Sequence, residues 1–142
     1  MAKKPKALVL DSWAVIAYLE DDPAGEKVGD IMADAQEKAI PIMMTVVNAG
    51  EVWYIIAREI NAGEADASIK LLADIGIQFV EADWSLTHAA AGFKSRMKMS
   101  FADCFAAALA KQRKAHLLTG DPEFRQVQEE VAIIWLTDRS KN

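Results

Sequence analysis

Apolar and polar residues alternate along this chain in two rhythms, and the switches between them mark out its elements. The short continuous apolar runs are Ala7 to Leu10, Ile42 to Met44, Gln78 to Val80, His116 to Thr119 and Ile133 to Leu136. They read as strands buried on both faces, the pattern of a parallel sheet. Between them apolar positions recur at helical spacing. Trp13 to Leu19 predicts a helix after the first strand, and Glu20, Asp21, Asp22 and Pro23 form a loop. A second helix follows from about Ala24 to Ala39, with Val28, Ile31, Met32 and Ala35 on one face, and Pro41 stops it. Thr45 caps a helix reaching about Ile60, another spans Glu64 to about Ile75, and Asp83 or Ser85 starts the helix carrying His88.

The best-signalled helix runs from Ser100 to about Lys114. Ser100 is a good N-cap, the alanine-rich run to Leu109 is strongly helix-forming, and Lys111, Arg113 and Lys114 suit the negative end of the helix dipole. Gly120, Asp121 and Pro122 then turn the chain into a helical segment from Glu123 to about Gln128, and Asp138 to Asn142 reads as a polar tail. Strands alternating with helices predict an α/β fold: a single domain over residues 1–142, with a parallel central sheet of about five strands and helices on both faces.

Composition narrows the setting. A chain of 142 residues, 52% hydrophobic and 26% charged, can bury a continuous core as one globular unit. Cys104 is the only cysteine, so no intrachain disulfide or thiolate zinc cluster can form, which points to a reducing compartment, the cytoplasm by default. Lys3, Lys4 and Lys6 ahead of an apolar run to Leu19 imitate a secretory signal, but Asp11 interrupts the run and no small-residue cleavage site follows. No apolar stretch approaches the roughly 20 residues needed to cross a bilayer. A formal charge of −5 argues against non-specific binding of polyanions, unless several acids are gathered around cations.

Four carboxylates stand where such a gathering is expected. Asp11 and Asp121 lie just past the C-terminal ends of two strands, Asp103 in the first turn of a helix, and Glu51 in the otherwise apolar segment Val46 to Ala57. Each has a structural explanation as well: Asp11 or Ser12 can cap the first helix, Asp103 can complete a capping box with Ser100, and Asp121 before Pro122 is a typical N-cap. Glu51 is harder to account for, because its helix reads as buried on more than one side and no lysine or arginine lies within one turn. In open parallel sheets ligands bind at the carboxyl edge, where strands sit about 4.8 Å apart, so the four acids can share one mouth. Carboxylates that close cannot all ionise without a cation, and an all-oxygen set favours a hard ion, Mg²⁺ or Mn²⁺. Such an ion activates water toward a phosphodiester, with Asp103 or Asp121 available to orient that water.

At these residues the chain resembles the PIN-domain ribonucleases, and within them the toxins of VapBC toxin–antitoxin pairs. The likeness rests on VLDSWA around Asp11, VVNAGEVWY around Glu51, SFADCFAAALA around Asp103 and LLTGDPEF around Asp121, in that order, and covers almost the whole chain. It implies a Mg²⁺- or Mn²⁺-dependent endoribonuclease acting on RNA, with transfer RNA and ribosomal RNA both plausible, and a cognate VapB-type antitoxin that blocks the acidic site. By likeness Asp11, Glu51, Asp103 and Asp121 are the metal-binding and catalytic acids, with Ser12 and Thr119 as polar neighbours. Asn48 also matches, though capping of its helix explains it about as well.

The remaining features are weighed beside this. Lys94, Ser95, Arg96, Met97 and Lys98 read as a basic connection into the Asp103 helix; Lys94, Arg96 and Lys98 are candidates for RNA-phosphate contacts, or simply a solvated charge run. Trp53, Tyr54, Ile55 and Ile56 offer more apolar surface than one sheet face covers, which together with the resemblance favours a homodimer. His88 and His116 lack metal spacing, and Cys104 reads as a core thiol. A rival reading, phosphoryl transfer through an aspartyl intermediate as in haloacid-dehalogenase-like phosphatases, wants acids where Trp13 and Arg125 stand. A non-catalytic module holding a structural ion or a basic partner is the other alternative.

Overall fold

The computed structural model describes residues 4–137. The expected polar tail and Lys3 lie outside them. Five strands form one sheet: β1 (Leu8–Leu10), β2 (Ile42–Thr45), β3 (Gln78–Val80), β4 (His116–Thr119) and β5 (Ile133–Trp135). Every pairing is parallel and the spatial order is β3-β2-β1-β4-β5. Leu10 of β1 sits in register with Leu118 of β4, so Asp11 and Thr119 end adjacent strands.

The sheet's pleat sorts its side chains into two cores. Val9, Met43 and Leu117 face one way and pack under α5 (Trp84–Arg96) and α6 (Phe101–Arg113), with Phe93, Cys104, Phe105 and Leu109. Leu8, Leu10, Met44 and Leu118 face the other way, under α1 (Ser12–Leu19), α2 (Pro23–Glu37), α3 (Val46–Glu59) and α4 (Ala62–Asp74), with Val15, Val28, Val52 and Leu72. Helices therefore cover both faces of the parallel sheet, and the strands have no solvated side, which is why they read as unbroken apolar runs. Cys104 is fully buried, its thiol pushed up by burial.

Caps fix the helix starts. Asp11, Asp22, Thr45, Asn61, Asp83 and Ser100 each accept a backbone N–H from the third residue along, so Asp83 rather than Ser85 starts α5. Gly25 lets α2 lie against α1, since a Cβ there would come within 2.0 Å of the Ala17 carbonyl oxygen.

Several expectations need correction. Pro122–Val127 is a 3-10 helix rather than an α-helix. Lys94 and Arg96 belong to the last turn of α5, not to a connecting loop, because the buried Phe93 extends that helix's apolar face. The α3 helix is buried on one face only, through Asn48, Ala49, Val52 and Ile56. Of its four-residue apolar patch, Trp53 and Tyr54 are exposed whereas Ile56 packs into the core. Among the described residues no helix is long and apolar enough to cross a membrane.

Candidate active site

The strand order reverses direction between β1 and β4, and the crevice outside that switch point is where open α/β sheets hold ligands. A pocket of about 430 Å³ opens there, lined on one side by Ser12, Glu51, Ser100, Asp103 and Asp121.

Asp11 forms the floor. Only 1% exposed, it caps α1 with Oδ1, which accepts the Ala14 N–H at 2.8 Å, while Oδ2 accepts the Thr119 hydroxyl at 2.5 Å. Burial pushes its carboxyl up to about 8, against the lowering effect of those two hydrogen bonds, and Asp103 and Asp121 add to the rise. Thr119 also accepts the Asp121 backbone N–H at 3.0 Å. One buried hydroxyl thus joins the acid on the floor to the turn that carries the next acid.

Above the floor, Asp103, Asp121 and Glu123 each bring a carboxylate oxygen within 4.8 Å of the other two. Asp103 arrives through the first turn of α6, whose cap is the Ser100 hydroxyl, accepting the Asp103 N–H at 3.1 Å. Asp121 caps the 3-10 helix by accepting the Glu123 N–H at 2.9 Å. Capping and clustering coexist in both residues. Asp103 is pushed up to about 7, first by burial and then by Asp121, Glu51 and Glu123. Two carboxyls held in their neutral forms well above the ordinary range are the electrostatic mark of a site short of positive charge.

Glu51 enters from α3 and lines the same pocket. Its Oε1 accepts the Ser12 hydroxyl and its Oε2 the Tyr54 hydroxyl at 3.4 Å. A partner from a distant segment, one of the two explanations open for this acid, is thus present as Ser12, but the carboxylate is not sealed in a core. Asn48 is not the cap of α3, a role Thr45 fills. Buried, it donates from Nδ2 to the Ala102 carbonyl oxygen at 3.0 Å and more weakly to Ser12 Oγ at 3.5 Å, tying α3 to the first turn of α6 beside Asp103.

Asp103 and Asp121 thus sit together, with Asp11 below and Glu51 across the pocket. Lys94, Arg96 and Lys98 are not among the residues lining it. Lys94 donates to the Met99 carbonyl oxygen at 2.7 Å and Arg96 pairs with Glu130 at 3.2 Å. Glu123 was missed by sequence reasoning, which treated it as helix filler; the signal was its place two residues after Asp121 at the start of a Pro-initiated turn. Ile55 likewise lines the pocket rather than an outer surface.

The donor set fits a metal ion. Three carboxylates from α6 and the 3-10 helix converge without thiolate or imidazole, as hard divalent cations require, and a bound cation would relieve the repulsion that raises Asp103.

Solved structures share this architecture. The chain superposes on DNA-bound VapBC of Salmonella typhimurium with a TM-score of 0.71–0.72 shared by its Rickettsia felis counterpart: 0.72 at 11% identity over 92% of this chain and 98% of that one for the former. For VapBC2 from Rickettsia felis, bound to a promoter DNA fragment, the values are 0.71, 11%, 90% and 97%. Mycobacterium tuberculosis VapC20, a Sarcin-Ricin loop cleaving toxin, matches with a TM-score of 0.69 and 17% identity, over 85% of this chain and 95% of that one. At such identities the likeness is one of fold. No curated protein matches the chain in sequence. The sequence pattern of the PIN domain matches residues 8–130, a span that takes in all four sequence-predicted acids and Glu123, and the chain belongs to the PIN domain family.

Proposed function

We propose that this protein is a Mg²⁺- or Mn²⁺-dependent endoribonuclease, one PIN domain over residues 1–142, that hydrolyses RNA in the cytoplasm as the growth-inhibiting toxin of a VapBC-type pair. The observation that carries the reading is the meeting of Asp103, Asp121 and Glu123 within 4.8 Å, beside Glu51 and above Asp11. Asp103, Asp121 and Glu123 would hold the ion, with Asp11 and Glu51 completing the acidic set. When bound, the ion lowers the pKa of a water and offsets charge developing on the phosphodiester. Glu51, steadied by Ser12 and Tyr54, faces the pocket with a carboxylate able to orient that water. Thr119 keeps Asp11 and the Asp121 turn in register, and Asn48 does the same for α3 and α6. The Lys98 side chain, exposed beside the link into α6, is the remaining basic group for a substrate phosphate, since Lys94 and Arg96 are engaged.

The partner reading rests on the structural neighbours, which are VapBC toxin–antitoxin proteins. A VapB-type antitoxin and a second copy of the chain would both find apolar surface on the α3 and α4 side, where Trp53, Tyr54, Ile60 and Leu71 are exposed. The decisive experiment is cleavage of a structured RNA by purified protein in Mg²⁺ or Mn²⁺ and in chelator. Asp103→Asn and Asp11→Asn are expected to abolish the cut; equal, metal-independent cleavage by wild type and both variants would overturn the proposal.

A further inference from the structure

The acidic site occupies only one side of its pocket. The other side is apolar, built from Trp13 and Ile16 of α1 and Ile55 of α3, all half-buried. Neither the ion nor the carboxylates explain this wall. A cation with six waters takes about 180 Å³ at the ~30 Å³ each water occupies, well short of the roughly 430 Å³ present.

Charge decides what can lie along it. Glu20 and Asp22 also line the pocket, at its far rim from the sheet edge, so a second phosphate there would meet uncompensated carboxylates. The group beside the wall must be uncharged, flat or apolar, and attached to the phosphate held at the acids. Trp13 is built to receive it. Its ring lies so close over Gly120 that a Cβ on that residue would come within 2.3 Å of the indole. The ring is thereby seated against the backbone immediately before Asp121, and its position relative to the acids is fixed.

We infer that Trp13, Ile16 and Ile55 form a subsite for one unpaired nucleobase of the substrate, stacked on the Trp13 indole while its own phosphate faces Asp103 and Asp121. This rests on the nuclease reading and adds to it a demand that the nucleotide at the cut be turned out of its stack. Aromatic side chains recognise RNA bases in this way, because every base presents a π-face whatever its sequence.

Binding of small probes to the full chain tests it without turnover. With Mg²⁺ present, adenosine 5′-monophosphate and ribose 5-phosphate are titrated while the Trp13 indole N–H is followed by NMR. The base is expected to tighten binding by roughly 5- to 150-fold and to move the Trp13 signal. Trp13→Leu keeps apolar volume but has no π-face; it should erase that advantage and leave ribose 5-phosphate unchanged. Ile55→Gln, which does not touch the Trp13 contact with Gly120, should reduce the advantage in a fold of undisturbed melting temperature. In cleavage, an abasic nucleotide at the cut should slow wild type and have no further effect on Trp13→Leu.

Equal affinity for the two ligands, or equal weakening of both by Trp13→Leu, would overturn the subsite while leaving the nuclease reading intact. Failure of wild type to bind either phosphate in Mg²⁺ would instead overturn the nuclease reading and the subsite with it. A basic peptide that shifts the Trp13 signal where nucleotides do not would show that the wall serves a protein partner, and would overturn the inference too.

Discussion

Thr119 shows how much of the site turns on a single small group. Its hydroxyl donates to Asp11 and accepts from the backbone of Asp121, with no exposure to solvent, so neither partner has water as a substitute. Thr119→Val preserves shape while stranding both groups. Each unsatisfied buried partner costs about 1–3 kcal/mol, so a loss of roughly 2–4 kcal/mol is expected from urea unfolding, with Thr119→Ser restoring most of it. The same change removes a hydrogen bond that lowers the Asp11 carboxyl, leaving that acid more firmly neutral and the cluster poorer at holding a cation. A Thr119→Val protein as stable as wild type would mean the hydroxyl bridge carries no weight. Asn48 works at the same scale: its amide satisfies the Ala102 carbonyl in the first turn of α6, a contact between residues 54 positions apart. No local pattern announces such a bond, and from sequence its amide was indistinguishable from a cap.

Among elements, what the sequence disclosed follows from what each element is made of. The strands were legible because both their faces are buried, and α6 because Ser100, the alanine run and the basic last turn all agree. The segment after Asp121 was misjudged because proline and an N-capping aspartate start either helix type, and the choice of 3-10 geometry depends on contacts elsewhere. Glu123 was lost with it, since its nearness to Asp103 exists only once α6 and the 3-10 helix are brought together. Gln126 supplies that link. Its Oε1 accepts the Lys98 N–H at 2.9 Å, and its Nε2 donates to the Lys98 carbonyl at 3.2 Å and to the Glu123 carbonyl at 3.1 Å. The strip of chain entering α6 is thus clamped to the element bearing Asp121 and Glu123. Gln126→Ala should weaken Mn²⁺ binding by roughly tenfold, the range in which supporting contacts act on a metal site, with a smaller loss for Gln126→Glu, which keeps one acceptor. Mn²⁺ affinity measured by calorimetry decides it, and an unchanged value in Gln126→Ala would rule the clamp out.

For the molecule as a whole, the site is a source of instability that a cation removes, and pH exposes it. Asp11 at about 8 and Asp103 at about 7 both stand above the ordinary 3.8 of an aspartate. Between roughly pH 4 and 8 the folded protein therefore keeps protons that the unfolded chain gives up, and stability must fall as pH rises through that window. Glu130 has the opposite sign: Lys111 and Arg96 hold its carboxyl below the usual range, so its contribution is present at neutral pH and lost in acid. In chelator the melting temperature should peak near pH 5 and decline toward pH 8. For a chain of this length each kcal/mol moves it by about 3–5 °C, so a drop of at least about 5 °C is expected. A divalent cation favours the charged carboxylates, so Mg²⁺ should raise the melting temperature more at pH 8 than at pH 5.5. Asp103→Asn removes one of the mutually repelling acids; it should melt above wild type in chelator, decline less with pH and respond little to Mg²⁺. Differential scanning calorimetry in EDTA and in Mg²⁺ across this range reads all three effects. A metal-free melting temperature that rises steadily from pH 5 to 8 would mean that these carboxyls are not held neutral by the fold, and that the acids share too little space to need an ion between them.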